Sequence, residues 1–326
     1  MKKSTVQLLL GLGVSALFLW LAFRNADVAH IIGVLKGANI LLLVIAFIAA
    51  LGGLIMRSYR WKLLGKEYRG VPWKYFFHAT TMGLSLNMFI PFRAGDLFQG
   101  YYIAKRSTLP KSYTFSTIVV ERLMDMIPPV LMIIVGSFFV AFPAQVNTVM
   151  LIGMLGILFA GAAVAIRFAQ PILEYCSVVG KRIKHGDKIV RLLENCILTV
   201  GFLKEKQVIF GALPLTFINW FVCTGISTYA VLRSLDIAIP FLSIYVIIGI
   251  TVMSVAIPSS PGFVGTWEFF CMLALGLFGI DRNTALSYAV LSHVMAFAPV
   301  VVCGVGSLLY EIIIEKQDMR PAIWKQ

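Results

Sequence analysis

Glu121, Arg122 and Asp125 fall within five residues of one another in an otherwise apolar stretch, 114–142. Glu121 and Asp125 are four apart and share a helix face, while Arg122 and Asp125 are three apart and can pair. At 1.5 Å per residue they lie about 10–16 Å from the start of that stretch. An ionisable group so deep in an apolar helix costs about 2.5–3.5 kcal/mol or more unless it is paired or hydrated. The cluster therefore implies an internal pairing network or an aqueous cavity, and an ion pair locking this helix to a neighbour fits the pattern equally well. Arg93 and Asp96 make a second polar point, at a break in the preceding apolar run. Arginine is suited to bidentate capture of phosphate, and the free N–H groups at a helix start also favour anions. Asn87, four residues before Pro91, can satisfy opened backbone. Glu268 stands in the apolar stretch 263–278, where it could pair with Arg122 or Arg93, and His293 stands alone in a later apolar run. A lone intramembrane histidine is either a hydrogen-bonded core residue or part of the site. Together these groups suit binding of an anionic headgroup inside a membrane better than catalysis, because no nucleophile–base pattern accompanies them.

The elements that must position them are broken twice in the same way. Ile90-Pro91-Phe92-Arg93-Ala94-Gly95 is matched by Ile257-Pro258-Ser259-Ser260-Pro261-Gly262, about half the chain further on. Proline removes a helical N–H, and glycine tolerates conformations that other residues avoid. Pro91 and Gly95 shape the first break, and Pro258, Pro261, Gly262 and Gly265 the second. Matched interruptions in the two halves of an apolar chain point to a transporter's binding site; two unrelated proline kinks would be the plainer reading.

Of the 326 residues, 59% are hydrophobic and 13% charged, against about 45–50% and about 25% in soluble domains. The apolar runs do not alternate, which excludes a transmembrane β-barrel. Basic residues mark the cytoplasmic side: Lys2 and Lys3, then Arg57 to Lys74, then Lys181 to Lys206. Arg57, Arg60 and Trp61 read as headgroup anchors at the end of the second span. The expected fold is an all-α polytopic membrane protein with about six full spans. Both termini are cytoplasmic, and the whole chain, 1–326, is one membrane domain. The first repeat is 38–142 with a re-entrant hairpin at 75–110; the second is 207–311 with a re-entrant hairpin at 239–280. The two form an inverted-topology repeat. Between them 171–206 forms a cytoplasmic amphipathic connector, lying on the inner leaflet or solvated.

The net charge of +13 fits basic loops facing anionic inner-leaflet lipid rather than nucleic acid. Five cysteines at 176, 196, 223, 271 and 303 form no metal or disulfide pattern. No phosphate-binding loop is present, so no metal or cofactor is expected. Transport would be downhill or ion-coupled. Gly11-x-Gly13 and Gly52-Gly53 offer close helix contacts within or between chains, leaving open a homo-oligomer or a partner lipid-modifying enzyme.

Four ordered motifs complete the reading: Arg60-Trp61; Asn87 with Pro91-x-Arg93-Ala94-Gly95-Asp96; Glu121-Arg122-Leu123-Met124-Asp125; and Pro258-x-x-Pro261-Gly262-x-x-Gly265-x-x-Glu268. Over nearly its whole length the chain resembles the lysylphosphatidylglycerol synthase transmembrane, or flippase-like, family. In bifunctional members this region precedes a soluble aminoacyl-transferase domain and moves the modified lipid across the bilayer. Here the chain ends fourteen residues past Ile312. The resemblance thus implies a stand-alone lipid translocase of the cell membrane. His293 departs from the family pattern, where arginine is frequent. The expected cargo is an anionic or phosphate-bearing lipid, a glycolipid or a polyprenyl-phosphate carrier. Arg93 and Arg122 would attract the phosphate, with Asp96, Glu121, Asp125 and Glu268 holding those arginines. A membrane glycosyl- or acyl-transferase, or a carrier of small solutes, is the alternative; short and nearly neutral external connections count against the enzyme.

Overall fold

The computed structural model describes residues 3–90, 93–139, 206–256 and 259–315. Pro91, Pro258, the apolar run 148–167 and all but the last residue of the 171–206 connector lie outside them. Among the described residues every regular element is helical.

Helix α1 (Lys3–Phe23) is followed by a short α2 (Val28–Lys36), bent by 83° from it. Asp27 begins α2, its carboxylate accepting from the Ala29 and His30 N–H groups. This corner is an element the sequence reading did not anticipate. Arg282 closes it by donating to the carbonyls of Leu21 and Ala22, which α1 leaves unpaired at its end. Helix α3 (Ile40–Leu63) starts on the Asn39 side chain. Its Ile40, Leu41, Val44 and Ile48 face outward, as a lipid-facing helix requires.

Helices α4 (Trp73–Phe89) and α5 (Ala94–Ser107) form a hairpin. Ile90 is extended and Arg93 left-handed, with φ 52°. The arms meet closely: a Cβ on Gly95 would sit 1.8 Å from the Gly83 carbonyl oxygen. Asn87 ties the tip, donating to Asp96 Oδ1 at 2.9 Å and accepting from the Gly95 N–H at 2.8 Å. Helix α6 (Lys111–Phe139) follows. After the undescribed segment comes α7 (Val208–Ser234), with wide π turns at Val208–Ala212 and Ile218–Thr224. Helices α8 (Ser243–Ala256) and α9 (Thr266–Gly276) make the second hairpin. Its break holds two left-handed glycines, Gly262 at φ 74° and Gly265 at φ 89°, where only glycine is at ease. Helix α10 (Arg282–Tyr310) closes the bundle.

The packing is reciprocal. The first arm of each hairpin lies against the last long helix of the other half, α4 on α10 and α8 on α6, while α3 lies on α7. Across the α3–α7 contact Met56 touches Cys223, 167 residues apart, the separation of Pro91 from Pro258. The open end of α4–α5 meets the C-terminal end of α10: Tyr102 and Arg106 bind Glu311, and Lys74 lies over the Tyr310 ring. The open end of α8–α9 packs at the other end of the bundle, with Leu235, Ile244, Leu275 and Ala285 in one core. The open ends of the two hairpins therefore lie at opposite ends of the bundle, and their tips approach where a Cβ on Gly262 would lie 3.5 Å from the Met88 carbonyl oxygen.

Among the described residues three helices are long and apolar enough to cross a membrane, Ile40–Leu63, Val208–Ser234 and Arg282–Ile313, or four if the bent α1–α2 pair counts as one. The expected apolar run 148–167 lies outside that count. The 29 residues of α6 are long enough, but its charges lower its hydropathy, and the hairpin arms are individually too short.

The contact at Gly95 makes a direct prediction. Gly95→Ala cannot be absorbed by a flexible side chain and should destabilise the protein by about 1–3 kcal/mol. Gly276→Ala, where no atom lies within 4 Å of the added Cβ, should leave thermal unfolding in detergent unchanged.

Candidate functional site

The charged residues gather where α3, α6, α7 and the first hairpin meet. Arg57 and Arg60 project from one face of α3, Glu121 and Asp125 from one face of α6. Arg57 reaches Glu121 Oε1 at 3.0 Å and Asp125 Oδ2 at 2.8 Å. Arg60 reaches the same Glu121 oxygen at 3.0 Å and Asp125 Oδ1 at 2.6 Å. Each guanidinium thus bridges both carboxylates from two different nitrogens of its planar fork, a geometry that the single nitrogen of lysine does not reproduce. Helix α7 completes the shell. Thr216 Oγ1 accepts from Arg60 at 3.3 Å, and the Trp220 indole N–H donates to Asp125 at 3.3 Å. Thr216 lies two residues before a π turn and Trp220 lies within it; such turns favour functional positions.

Arg122 extends the network to the first hairpin. It grips Asp96 with two bonds, 3.1 and 2.7 Å, and lies 3.8 Å from Asp125. Asp96 in turn is held by Asn87. Arg93 sits at the tip, exposed. It is within electrostatic reach of Arg122, Asp96, Arg57 and Asp125, and no hydrogen bond or ion pair to its side chain occurs among the described residues. Four guanidinium groups (Arg57, Arg60, Arg93, Arg122) thus face three carboxylates (Asp96, Glu121, Asp125), and the excess positive charge resides at the accessible tip. Glu121 Oε2 and Arg60 Nε are buried without a partner among the described residues.

The second hairpin carries a separate pair. Glu268 lies in the first turn of α9 and reaches back to the Gly265 N–H at 2.7 Å, capping the helix. Its other oxygen meets His293 Nδ1 of α10, and His293 Nε2 lies 2.8 Å from the Gly262 carbonyl oxygen. Trp267 stacks on the imidazole at 5.3 Å, and Phe297 packs at 4.4 Å. The pair opens on a groove of about 490 Å³ along α10, walled by Val290, Val294, Phe297, Ala298 and Val301. The two halves share a motif. In each, a carboxylate in the first turn of the hairpin's second arm, Asp96 or Glu268, binds a cation-forming side chain of the next long helix, Arg122 or His293.

Several expectations change. Arg60 and Trp61 are fully buried and do not meet headgroups. Arg60 holds the two carboxylates, and the Trp61 indole donates to Thr117 at 3.0 Å. Arg57, read as a third anchor, joins the same network. Glu268 pairs with His293 rather than an arginine. Glu121 and Asp125 hold Arg57 and Arg60, Asp96 holds Arg122, and Arg93 is held by none of them. The signal for Arg57 and Arg60 was present as a three-residue spacing complementary to the four-residue spacing of Glu121 and Asp125. Thr216 and Trp220 had no such signal. Pro261, Gly262 and Gly265 lie between α8 and α9. No group of three or more histidine, cysteine or acidic side chains suited to a metal occurs among the described residues.

A helical bundle with outward apolar rows and an internal ionic network is that of a multi-pass membrane protein. The sequence signature of the lysylphosphatidylglycerol synthase TM region matches residues 8–304, and the chain belongs to that family. It is similar to UPF0104 membrane protein MJ1595 of Methanocaldococcus jannaschii, 24% identical over 97% of each chain. Glycosyltransferase AglD of Haloferax volcanii is 23% identical over 93% of this chain and 54% of its own length. UPF0104 membrane protein MJ1078 of Methanocaldococcus jannaschii is 22% identical over 67% of this chain and 91% of its own. No solved structure matches.

Breaking a buried ion pair from one side leaves an uncompensated charge, at a cost of about 3–5 kcal/mol. Arg60→Met should destabilise the protein by that amount. Arg60→Lys should recover less than half of it, because a single ammonium nitrogen does not reproduce the two-nitrogen fork that reaches the two carboxylates. Thermal unfolding of the two variants in one detergent checks both.

Proposed function

We propose that the protein is a lipid translocase that moves an anionic or phosphate-bearing lipid between leaflets. The observation that carries this reading is Arg93: an accessible, unpartnered guanidinium at a chain break, beside a network already balanced by its own carboxylates. A paired network has no use for a further cation, whereas a phosphate does. The exposed apolar side chains around it, Phe89, Ile90 and Leu97, suit the hydrocarbon part of the same ligand. The opposite entry of the two hairpins and the reciprocal helix pairing support an inverted repeat whose hairpins are re-entrant, with alternating access by rocking of one half against the other. The end of the bundle bearing Lys62, Lys66, Lys74, Lys105 and Lys111 would be cytoplasmic, which puts both termini inside the cell membrane. On this reading the chain is a carrier and not an enzyme. The glycosyltransferase name belongs to a relative of which this chain spans about half, and no external loop among the described residues offers a catalytic carboxylate set.

Translocation is measured in vesicles containing the purified protein, following leaflet accessibility of fluorescent phosphatidylglycerol, a glycolipid and a polyprenyl phosphate. Charged hydrogen bonds contribute about 1.5–3 kcal/mol, so Arg93→Gln should slow transfer of the true cargo class by roughly tenfold or more. Its unfolding temperature should not change, because Arg93 holds nothing together. Transfer at the wild-type rate in Arg93→Gln would overturn the site, and no transfer of any class by folded protein would overturn the function.

A further inference from the structure

Both ring nitrogens of His293 face acceptors. Nε2 lies 2.8 Å from the Gly262 carbonyl oxygen, and Nδ1 meets Glu268 Oε1. A carbonyl oxygen only accepts, so Nε2 carries a hydrogen. In a neutral ring Nδ1 would then be a bare lone pair directed at a carboxylate oxygen, and the two would repel. The contact needs one more proton between them. The second carboxylate oxygen already accepts the Gly265 N–H at 2.7 Å, which favours the ionised carboxylate and leaves the added proton on the ring.

We propose that Glu268 and His293 form a proton-binding site that clamps the second chain break to α10, and that loss of the proton opens the clamp. With one hydrogen fewer, the imidazole can satisfy Gly262 or Glu268 but not both. One of the two ties from α10 to the break is then released. The break is built to respond, since Gly262 and Gly265 both stand in left-handed conformations. Its tip abuts Met88, next to the Asn87 that holds Asp96. Release at Gly262 is thus felt at the first hairpin.

Apart from the groove along α10, the surroundings of the pair are mostly uncharged. From α9, Trp267 covers the ring and Cys271 lies behind it, 3.8 Å from Ser292. From α10 itself come Phe297 and the buried Tyr288. Helix α1 brings Ser15 to the break, through the Ser260 N–H at 2.7 Å, α4 brings the Met88 carbonyl, and α8 brings Thr251 onto Cys271. Among the described residues no second cation lies within ion-pair distance of Glu268, and Arg122 is engaged by Asp96. The proton on His293 is therefore what balances the carboxylate.

The test is nuclear magnetic resonance on the full-length protein in lipid nanodiscs with isotope-labelled histidine. The chain has four histidines, and the His293 signal is the one lost in His293→Gln. At neutral pH both nitrogens of His293 should carry hydrogen. In Glu268→Gln, whose amide can donate to Nδ1 and still accept from Gly265, the ring should become neutral without loss of fold. Backbone amide signals of residues 259–266 should move together with the ring titration in the wild type and stay still in His293→Gln. A neutral wild-type ring, or a doubly protonated ring indifferent to Glu268→Gln, would overturn the proton site. A titrating ring with unmoved amide signals would overturn the clamp. Neither readout uses lipid transfer, so each stands or falls apart from the translocase reading.

Discussion

Two arginines and two carboxylates set the geometry on which the rest depends. None of Arg57, Arg60, Glu121 and Asp125 is at ease alone among apolar helices. Each is satisfied only when α3 and α6 take one relative register, because each guanidinium must span both acids. The requirement extends to the other half through Thr216 and Trp220 of α7. It also reaches the first hairpin, since Arg122 lies between Asp125 and Asp96. An apolar core of equal volume could be as stable. It would not fix where the hairpin tip stands, because apolar contacts are non-directional. The network specifies position, and the position in question is that of Arg93.

The helix pairing is reciprocal, yet the chemistry of the two hairpins differs. The first arm of each hairpin packs on a long helix that follows the other hairpin, and Met56 meets the residue 167 positions later. At that separation Glu121, Arg122 and Asp125 correspond to Tyr288, Ala289 and Ser292, which carry no charge at neutral pH. Only the hairpin carboxylate bound to the next long helix recurs, as Asp96 with Arg122 and as Glu268 with His293. The first version uses a permanently charged partner and is permanent. The second uses the one side chain that gains or loses charge near neutrality. On the proposed reading, one hairpin tip is thus fixed and the other can be released.

Much of this was legible in the sequence. The paired Ile-Pro-x-x-x-Gly interruptions locate both hairpins, and the depth of Glu121, Arg122 and Asp125 in an apolar run requires internal partners. Asn87 is where a broken helix end needs an amide. What could not be read depended on contacts between distant segments. Basic residues at the end of a span look like interfacial anchors whatever they touch, so Arg57 and Arg60 carried the wrong meaning until α6 was placed beside them. Glu268 has two candidate partners in the sequence, Arg122 and Arg93, and nothing local to it points to His293. The α1–α2 corner depends on Arg282, some 260 residues away from the carbonyls it closes. The π turns of α7 have no composition of their own.

The two tips also differ in cover. Helix α1 seals the second: Ser15 binds the Ser260 N–H, a Cβ on Gly11 would lie 3.1 Å from the Ser259 carbonyl, and one on Gly265 would lie 2.4 Å from the Ser15 carbonyl. The first tip exposes Phe89, Ile90, Arg93 and Leu97 together. In water that patch would bury its apolar members, and in pure hydrocarbon it would not leave a guanidinium bare. An amphiphile satisfies both at once, its phosphate on Arg93 and its chains along the neighbouring side chains. The exposed tip is therefore the place where the proposed lipid would enter from the bilayer.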